Sequence, residues 1–313
     1  MINRRLIRIK VFKLLFSRIH ADARALTGAG EELLRSFDKT MELYYLLLAL
    51  PIALKNYGLA KIKTGLQKFH PKPHEINPNL KFVQNRAIAA LEADKAVWKP
   101  GSKKSLHWPD HPTFLRKLYT DFQSHPRFVA YMESGQVSFE EDSSLLAALY
   151  ETELEDNEAL LEMLEDQNLY WADELAYVLG VILKTLGEAK EDLAWNHPPM
   201  FKQEDDKSYA LRLLERSLLH YDEYLELLGR FAHNWDSDRM ATTDICLIVL
   251  GITEVLHFPS IPVKVSINEA VELSKYYSTP NSKVFVNGVL DKIVQHLKEE
   301  GRIVKEGRGL IEC

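Results

Sequence analysis

The chain has 313 residues, a formal net charge of −6 at neutral pH, and a composition that is 46% hydrophobic and 27% charged. These values are typical of a soluble globular protein with one large domain or two ordinary ones, and the acidic balance argues against nucleic-acid binding over the whole surface. The two cysteines, Cys246 and Cys313, form no motif, which favours a reducing, cytoplasmic setting.

No membrane span is expected. The longest apolar run, residues 44–54, is shorter than the roughly 20 residues that cross a bilayer. The N-terminus has no apolar signal core, although its charge and amphipathicity also resemble a mitochondrial presequence. Charge is unevenly distributed, because residues 1–24 carry seven basic residues and one acid, whereas residues 133–174 contain no Lys or Arg. A polyanion would therefore be attracted to the N-terminal end.

The first predicted element is an amphipathic helix over residues 4–20. Arg4, Arg5 and Arg8 lie along the edge of its apolar face. Unpaired guanidinium groups cannot be buried in a core, so we expect the helix to extend beyond the packed body and to present an exposed basic cluster.

Apolar residues at helical spacing predict further helices, and no segment alternates convincingly with period two, so the sequence predicts an all-α protein. Proline-rich loops are expected at residues 70–79, 99–112 and 196–199. The predicted helices cover residues 30–57, 80–98, 112–134 (as one or two helices), 143–166, 169–188, 206–232 and 235–256.

Two helices with a tight joint are predicted over residues 261–292. Ser266 and Glu269 have the spacing of a capping box that opens the first of these helices. Pro280 is expected to end it, with Thr279 as N-cap of the next helix. Gly288 is expected to permit close approach of a neighbouring helix. An apolar stripe follows the second helix, comprising Phe285, Val286, Val289, Leu290, Ile293, Val294 and Leu297.

The same stretch resembles the C-terminal signature of the NusB family of bacterial transcription antitermination factors. The matching pieces are Pro-Val-Lys at 262–264, Ile-Asn-Glu-Ala at 267–270 and Phe-Val-Asn-Gly-Val-Leu-Asp-Lys at 285–292, at unbroken spacing. A weaker match covers residues 4–17, including Arg4-Arg5, Arg8 and Leu15-Phe16-Ser17. The resemblance implies a NusB-like two-bundle helical fold, enlarged here by inserted helices over about 18–225.

The resemblance also implies partners and site residues. Family members bind single-stranded boxA RNA together with NusE, a small-subunit ribosomal protein, and so assist an antitermination complex on RNA polymerase. The implied partner-binding residues are Phe16 and Asp244, the latter following Arg239. A homodimer is a further expectation. The implied RNA-binding residues are Arg4, Arg5, Arg8, Lys283 and Phe285, with the arginines and Lys283 at phosphates and Phe285 stacking on a base.

The expected domain organisation has an N-terminal bundle with its acidic insertion at 1–233, a signature subdomain at 234–300 and a tail at 301–313. Two alternatives stay open: a protein-interaction scaffold that does not bind RNA, and an accessory factor for RNA modification. No nucleophile–base pair, phosphate loop or cofactor motif is present, so an enzyme is not expected. The pairs His70/His74 and His107/His111 lie among prolines, which disfavours a metal site.

Overall fold

The structure is a computed structural model that describes residues 1–21, 25–98, 107–171, 173–191, 193–232 and 240–311. Apart from an isolated parallel bridge between Ile2 and Phe201, the described residues contain no β-structure. The all-α prediction is therefore confirmed. The chain forms two compact units, one built from Met1–Ser36 and Met200–Cys313, the other from Phe37–Pro199. The domain boundaries expected at 233 and 300 stay a prediction.

The first unit joins the two ends of the chain. Its N-terminus is held by the bridge, in which the Ile2 amide donates to the Met200 carbonyl at 2.7 Å. The Asn3 side chain then caps the first helix by accepting from the Leu6 amide at 2.9 Å. The helices of this unit are α1 (Arg4–His20), the first part of α2 (Ala29–Leu48), α11 (Asp206–Leu219), α12 (Tyr221–Phe231), α13 (Thr242–His257), α14 (Val263–Tyr277) and α15 (Ser282–Glu299).

Helix α13 is the centre of the first unit, because it packs against α1, α11, α12, α14 and α15. Its residues from Cys246 to Val255 are all buried. An apolar sequence with no polar face predicts such an all-round buried helix. The two polar side chains in this run, Thr253 and Glu254, therefore need internal partners.

The second unit contains the rest of α2 and the helices α3 (Leu50–Leu66), α4 (Pro73–Ile76), α5 (Arg86–Ala93), α6 (Pro112–Ser124), α7 (Pro126–Glu133), α8 (Phe139–Glu153), α9 (Glu158–Gln167) and α10 (Leu175–Glu188). Helix α8 packs on α5, α6, α7 and α10, and α3 packs on α4, α5 and α6. Asp142 joins elements of this unit, accepting from the Tyr131 hydroxyl at 2.6 Å and from the Arg86 amide at 2.8 Å.

Several predicted helices are shorter or divided in the structure. The predicted helix 30–57 is divided at Ala49, two residues before Pro51, which cannot donate an amide hydrogen bond. The predicted helix 80–98 reduces to α5, since Asn85 caps its start by accepting from the Ile88 amide. The predicted helix 206–232 divides at His220, the C-cap of α11.

The joint between α14 and α15 corrects three local expectations. Helix α14 begins at Val263, after Pro262, so Ser266 lies inside the helix and forms no capping box. The N-cap of α15 is Asn281 rather than Thr279. A Cβ at Gly288 would meet no atom within 4 Å, whereas one at Gly251 of α13 would lie 3.1 Å from both δ-carbons of Leu290. The close helix approach is therefore at Gly251.

The segment Ala29–Leu66 is long and apolar enough to cross a membrane by length and composition alone. Half of its most apolar 18-residue window is buried within the protein. A core helix meets the same criterion, so this segment is weak evidence for a span.

Candidate nucleic-acid and partner interface

Arg8 of α1 is buried in an ion pair with Glu254 of α13. The two side chains are 7% and 3% exposed, and Arg8 Nη2 lies 2.8 Å from Glu254 Oε1. The Tyr209 hydroxyl of α11 donates to the same carboxylate oxygen. Burial by itself would lower the pKa of Arg8, but the charges of Glu254 and Glu269 outweigh it and raise that pKa. This guanidinium is thus permanently charged and ties three helices together.

Arg4 and Arg5 are also paired with carboxylates. Arg4 Nη2 lies 2.7 Å from Asp205 and its Nε lies 3.2 Å from Asp206, at the start of α11. Arg5 makes two hydrogen bonds to Glu269 of α14, at 2.8 and 3.2 Å. That hydrogen bonding and the charge of Glu269 raise the pKa of Arg5. Its side chain remains 54% exposed, the most accessible of the three.

The expected cluster of unpaired, protruding arginines is wrong. The three guanidinium groups face four carboxylates within unit 1, those of Asp205, Asp206, Glu254 and Glu269. Pairing offsets the desolvation penalty that would exclude an arginine from the interior, so α1 packs on unit 1 with its buried residues between Leu6 and Leu15. Arg8 is inaccessible to a phosphate in this arrangement, and Arg5 is the arginine that a ligand can reach.

Asp244 does not present a carboxylate to a partner. It lies in the first turn of α13 and is 5% exposed, with Oδ2 accepting from the Ser282 hydroxyl at 2.8 Å. Its other oxygen, Oδ1, is buried without a hydrogen-bond partner among the described residues. Arg239, which the sequence placed beside it, lies outside those residues. Asp244 therefore fastens α13 to the start of α15.

Phe285 and Lys283 have opposite exposures. Phe285 is 5% exposed, so its ring is part of the core and cannot stack on a nucleobase; that expectation is wrong. Lys283, one residue into α15, is exposed. The intervening Val284 is 61% exposed and marks the outer face of the helix start. Asn287 donates to Asp291 within the helix at 3.1 Å.

Phe16 is partly exposed and belongs to an aromatic row formed by Phe12, Phe16 and His20 of α1 and Tyr277 of α14. Its ring stacks on His20 with centroids 5.8 Å apart and faces Phe12 at 6.4 Å. Phe12 in turn contacts Tyr277 at 5.4 Å, at the end of α14. Lys13 Nζ lies 5.5 Å from the centre of the Tyr277 ring. The row thus connects the N-terminal helix to the joint between α14 and α15, the two segments that carry the family resemblance.

Sequence reasoning missed the carboxylates that organise this region. Glu254 could have been suspected, because it is an ionisable residue in the middle of an otherwise apolar helix. The spacing of Ser266 and Glu269 predicts a capping role for Glu269, and Asp206 and Tyr209 give no signal beyond helical spacing. Three arginines on a packed helix require acidic partners, but the sequence contains 45 Asp and Glu residues and does not indicate which of them lie near these arginines.

No three His, Cys, Asp or Glu side chains gather in a metal-binding arrangement within the described part of the chain. His107 lies 3.6 Å from Asp110, and both side chains are largely exposed. His74 is the second residue of the short helix α4, which begins at Pro73, whereas His70 precedes the helix. The two histidine pairs therefore do not share a helix face.

Comparison with known proteins identifies relatives of this chain by sequence. A sequence model described as the NusB family matches residues 143–295. The transcription antitermination protein NusB of Salinibacter ruber is 40% identical over 129 residues, which are 41% of this chain and 81% of that protein. The NusB protein of Myxococcus xanthus is 40% identical over 125 residues, covering 39% of this chain and 89% of that protein.

The matched range changes the expected extent of the insertion. Residues 143–225, which the sequence reading placed in the insertion, lie inside the family match, and residues 37–142 lie outside it. No solved structure is similar enough to count as a match. Since most of the length of relatives 40% identical aligns with this chain, the chain belongs to the NusB family.

Proposed function

We propose that the chain acts in transcription antitermination in the cytoplasm, by binding boxA-type single-stranded RNA together with NusE in a complex with RNA polymerase during ribosomal RNA transcription. Family membership supports the coarse part of this proposal, because the printed names of the relatives describe antitermination proteins. The observation that carries the finer part is the packing of Phe12 on Tyr277, which joins the two signature segments in one region.

The basic side chains of this region have different roles, which follow from their exposure. Arg5 and Lys283 supply phosphate contacts, because both side chains are exposed and a phosphate can compete for Arg5 with Glu269. Arg4 is 27% exposed and contributes less directly. Arg8 holds α1 in position and does not touch RNA. Phe16 and its neighbours on the aromatic row provide the surface for NusE.

Binding is tested by titrating labelled boxA RNA with the full chain, with and without NusE, over a salt series. Arg5→Ala and Lys283→Ala are each expected to weaken binding and to reduce the salt slope by roughly 0.7, the value for one contact to single-stranded nucleic acid. Arg127→Ala is the matched control, since Arg127 is 57% exposed and pairs with Glu151 at 2.6 Å in the second unit. Binding that ignores NusE, salt and both substitutions would refute the proposal.

The pairing of the arginines favours one alternative, a protein-interaction scaffold that does not bind RNA. Four carboxylates around three guanidinium groups leave little free positive charge for a polyanion. The same titration decides between the two: NusE binding that Phe16→Ala abolishes, with no RNA affinity at any salt concentration, would establish the scaffold.

A further inference from the structure

A second concentration of positive charge lies in the unit that the family match leaves partly uncovered. Residues 55–72 contain five Lys and no Asp or Glu, within the range 37–142 outside the match. The segment comprises the C-terminal part of α3 and the loop that leads to α4. We name the exposed residues Lys63, Lys68, Phe69 and Lys72 the α3–α4 edge.

One side of α3 is packed, which fixes the orientation of the other. A Cβ at Gly58 would lie 2.8 Å from the Tyr119 hydroxyl, and Gly65 packs on Glu75 of α4. Lys61 donates to Gln123 of α6 at 2.9 Å. Leu59, Lys63 and Leu66 follow at i, i+4 and i+7, so they share the opposite face, which is exposed to solvent.

The lysines of the edge carry charge that the protein itself neutralises incompletely. Lys68 pairs with Glu75, the carboxylate that also accepts from the Lys72 amide at 2.7 Å. Lys63 and Lys72 form no ion pair with any described residue, and both side chains are exposed. Lys63 lies in the last turn of α3, and Lys68 and Lys72 lie in the loop between α3 and α4.

An exposed aromatic residue, Phe69, lies between Lys68 and Lys72 in the sequence. Phe69 is 93% exposed, the largest exposure of any large hydrophobic side chain among the described residues, and lies edge-on to His70 with centroids 4.6 Å apart. Exposing a phenyl ring to water costs free energy, and none of the described residues covers it. A protruding ring bracketed by lysines combines a stacking surface with phosphate contacts.

We propose that the α3–α4 edge is a second binding surface for single-stranded RNA, on which Phe69 stacks with a base and Lys63, Lys68 and Lys72 contact phosphates. The inference rests on the proposed function for its ligand class, but uses none of the same residues. Adsorption to lipid requires a broad apolar face. Here Leu59 and Leu66 are only 41% and 50% exposed, and one ring protrudes fully.

The test measures binding of a labelled 40-nucleotide mixed-sequence RNA to the full chain by fluorescence anisotropy over a salt series. The triple substitution K63Q/K68Q/K72Q is expected to reduce the salt slope by about 2, from three contacts of roughly 0.7 each. Phe69→Ala is expected to weaken binding by about 5-fold or more, as loss of one stacked base does. Both changes affect exposed side chains, so circular dichroism and thermal unfolding should match the parent chain.

Matched controls separate this surface from general effects. K184Q/K292Q/K298Q removes three exposed lysines elsewhere, and Leu169→Ala removes an apolar side chain that is 87% exposed in the acidic region. Neither control should change RNA affinity beyond about 2-fold. Wild-type affinity in both edge variants would overturn the inference, even if Arg5→Ala and Lys283→Ala lose boxA binding. Loss confined to the edge variants would support it while refuting the proposed function.

A vesicle assay distinguishes RNA binding from binding to an anionic lipid surface. Sedimentation with vesicles of phosphatidylcholine and phosphatidylglycerol is expected to retain none of the protein. Vesicle binding that the edge variants abolish, with unchanged RNA affinity, would overturn the RNA assignment in favour of a lipid surface.

Discussion

Arg8 and Glu254 form a buried ion pair with 2.8 Å between Nη2 and Oε1, linking the N-terminal helix to the central helix of its unit. The residues are 246 positions apart in the chain. The pair explains how an arginine-rich helix can lie against an apolar core, and it makes α1 part of the structure as well as a candidate for binding.

Removing one partner of this pair should destabilise the first unit strongly. Arg8→Ala leaves the buried Glu254 carboxylate without its ion pair, which costs about 3–5 kcal/mol. Glu254→Ala should cost less, because Arg8 keeps a contact with Glu269 at 3.4 Å. Thermal and urea unfolding measure the loss. The double substitution Arg8→Met with Glu254→Leu should recover most of the stability, because it buries apolar side chains of similar size in place of the charges. Equal stability of the parent and the two single variants would contradict the structural role.

Gly251 and Gly288 should respond oppositely to an added side chain. Gly251→Val places new atoms where Leu290 already packs at 3.1 Å, so overpacking should cost about 1–3 kcal/mol. Gly288→Ala meets nothing within 4 Å inside a helix and should stabilise by about 0.5–1 kcal/mol. Urea denaturation compares the two variants, and destabilisation by Gly288→Ala would restore the sequence-based expectation of close approach there.

Acid should weaken the first unit through His257. Burial, followed by the charges of His220 and Arg216, lowers the pKa of His257 to about 4 from an ordinary 6.5. The unfolded chain therefore binds this proton at a higher pH than the folded chain does, so the associated stability is complete above about pH 6.5 and is lost as the pH falls towards 4. The loss should reach about 2 kcal/mol, which allows for solvent screening at this half-buried ring.

The pH dependence is assigned by substitution. Unfolding midpoints measured from pH 7.5 to pH 4.5 should fall less steeply for His257→Gln than for the parent. His74→Gln, an exposed histidine of α4, is the control and should keep the parent slope. Parallel curves for the parent and His257→Gln would refute the assignment.

Gly309 should be essential for docking of the C-terminal tail. A Cβ there would lie 1.8 Å from the Pro259 carbonyl oxygen, so Gly309→Ala cannot keep the present path. The Glu306 amide, which donates to the same oxygen at 3.0 Å, should exchange with deuterium at least about 10-fold faster. Arg308→Ala, at the neighbouring exposed position, should leave the exchange unchanged. Protection of Glu306 in both variants would show that the tail is held elsewhere.

Substitution of Asp244 should lower the stability of the fold, and any effect on partner binding should follow from that loss. Asp244→Ala removes the acceptor of the Ser282 hydroxyl and should cost about 1–3 kcal/mol. Asp244→Asn keeps an acceptor and should be tolerated better. Any loss of NusE affinity in a pull-down should therefore follow the unfolding midpoint across both variants. A stable Asp244→Asn chain that no longer binds NusE would instead support the direct contact predicted from sequence.

The presence of a helix was predictable where the spacing of apolar residues and the residues that start or end a helix indicate the same segment. The spacing of apolar residues predicted α1 over the same residues that the structure gives, because one uninterrupted amphipathic pattern lies between the N-cap Asn3 and the C-cap Ala21. Helix ends were less predictable. Pro262 and Asn281, rather than Ser266 and Thr279, start the last two helices, since several residues near each end can cap and packing selects among them.

The sequence by itself determined the helical class and, through its C-terminal signature, the family. Both follow from local sequence features: the helical spacing of apolar residues, the positions of the prolines and the residues of the signature. Only the tertiary structure decided the roles of the arginines, Asp244 and Phe285, because burial and ion pairing depend on residues far away in the chain. Arg8 is a structural cation since folding brings Glu254 to it. Phe69 is an exposed ring since none of the described helices covers it.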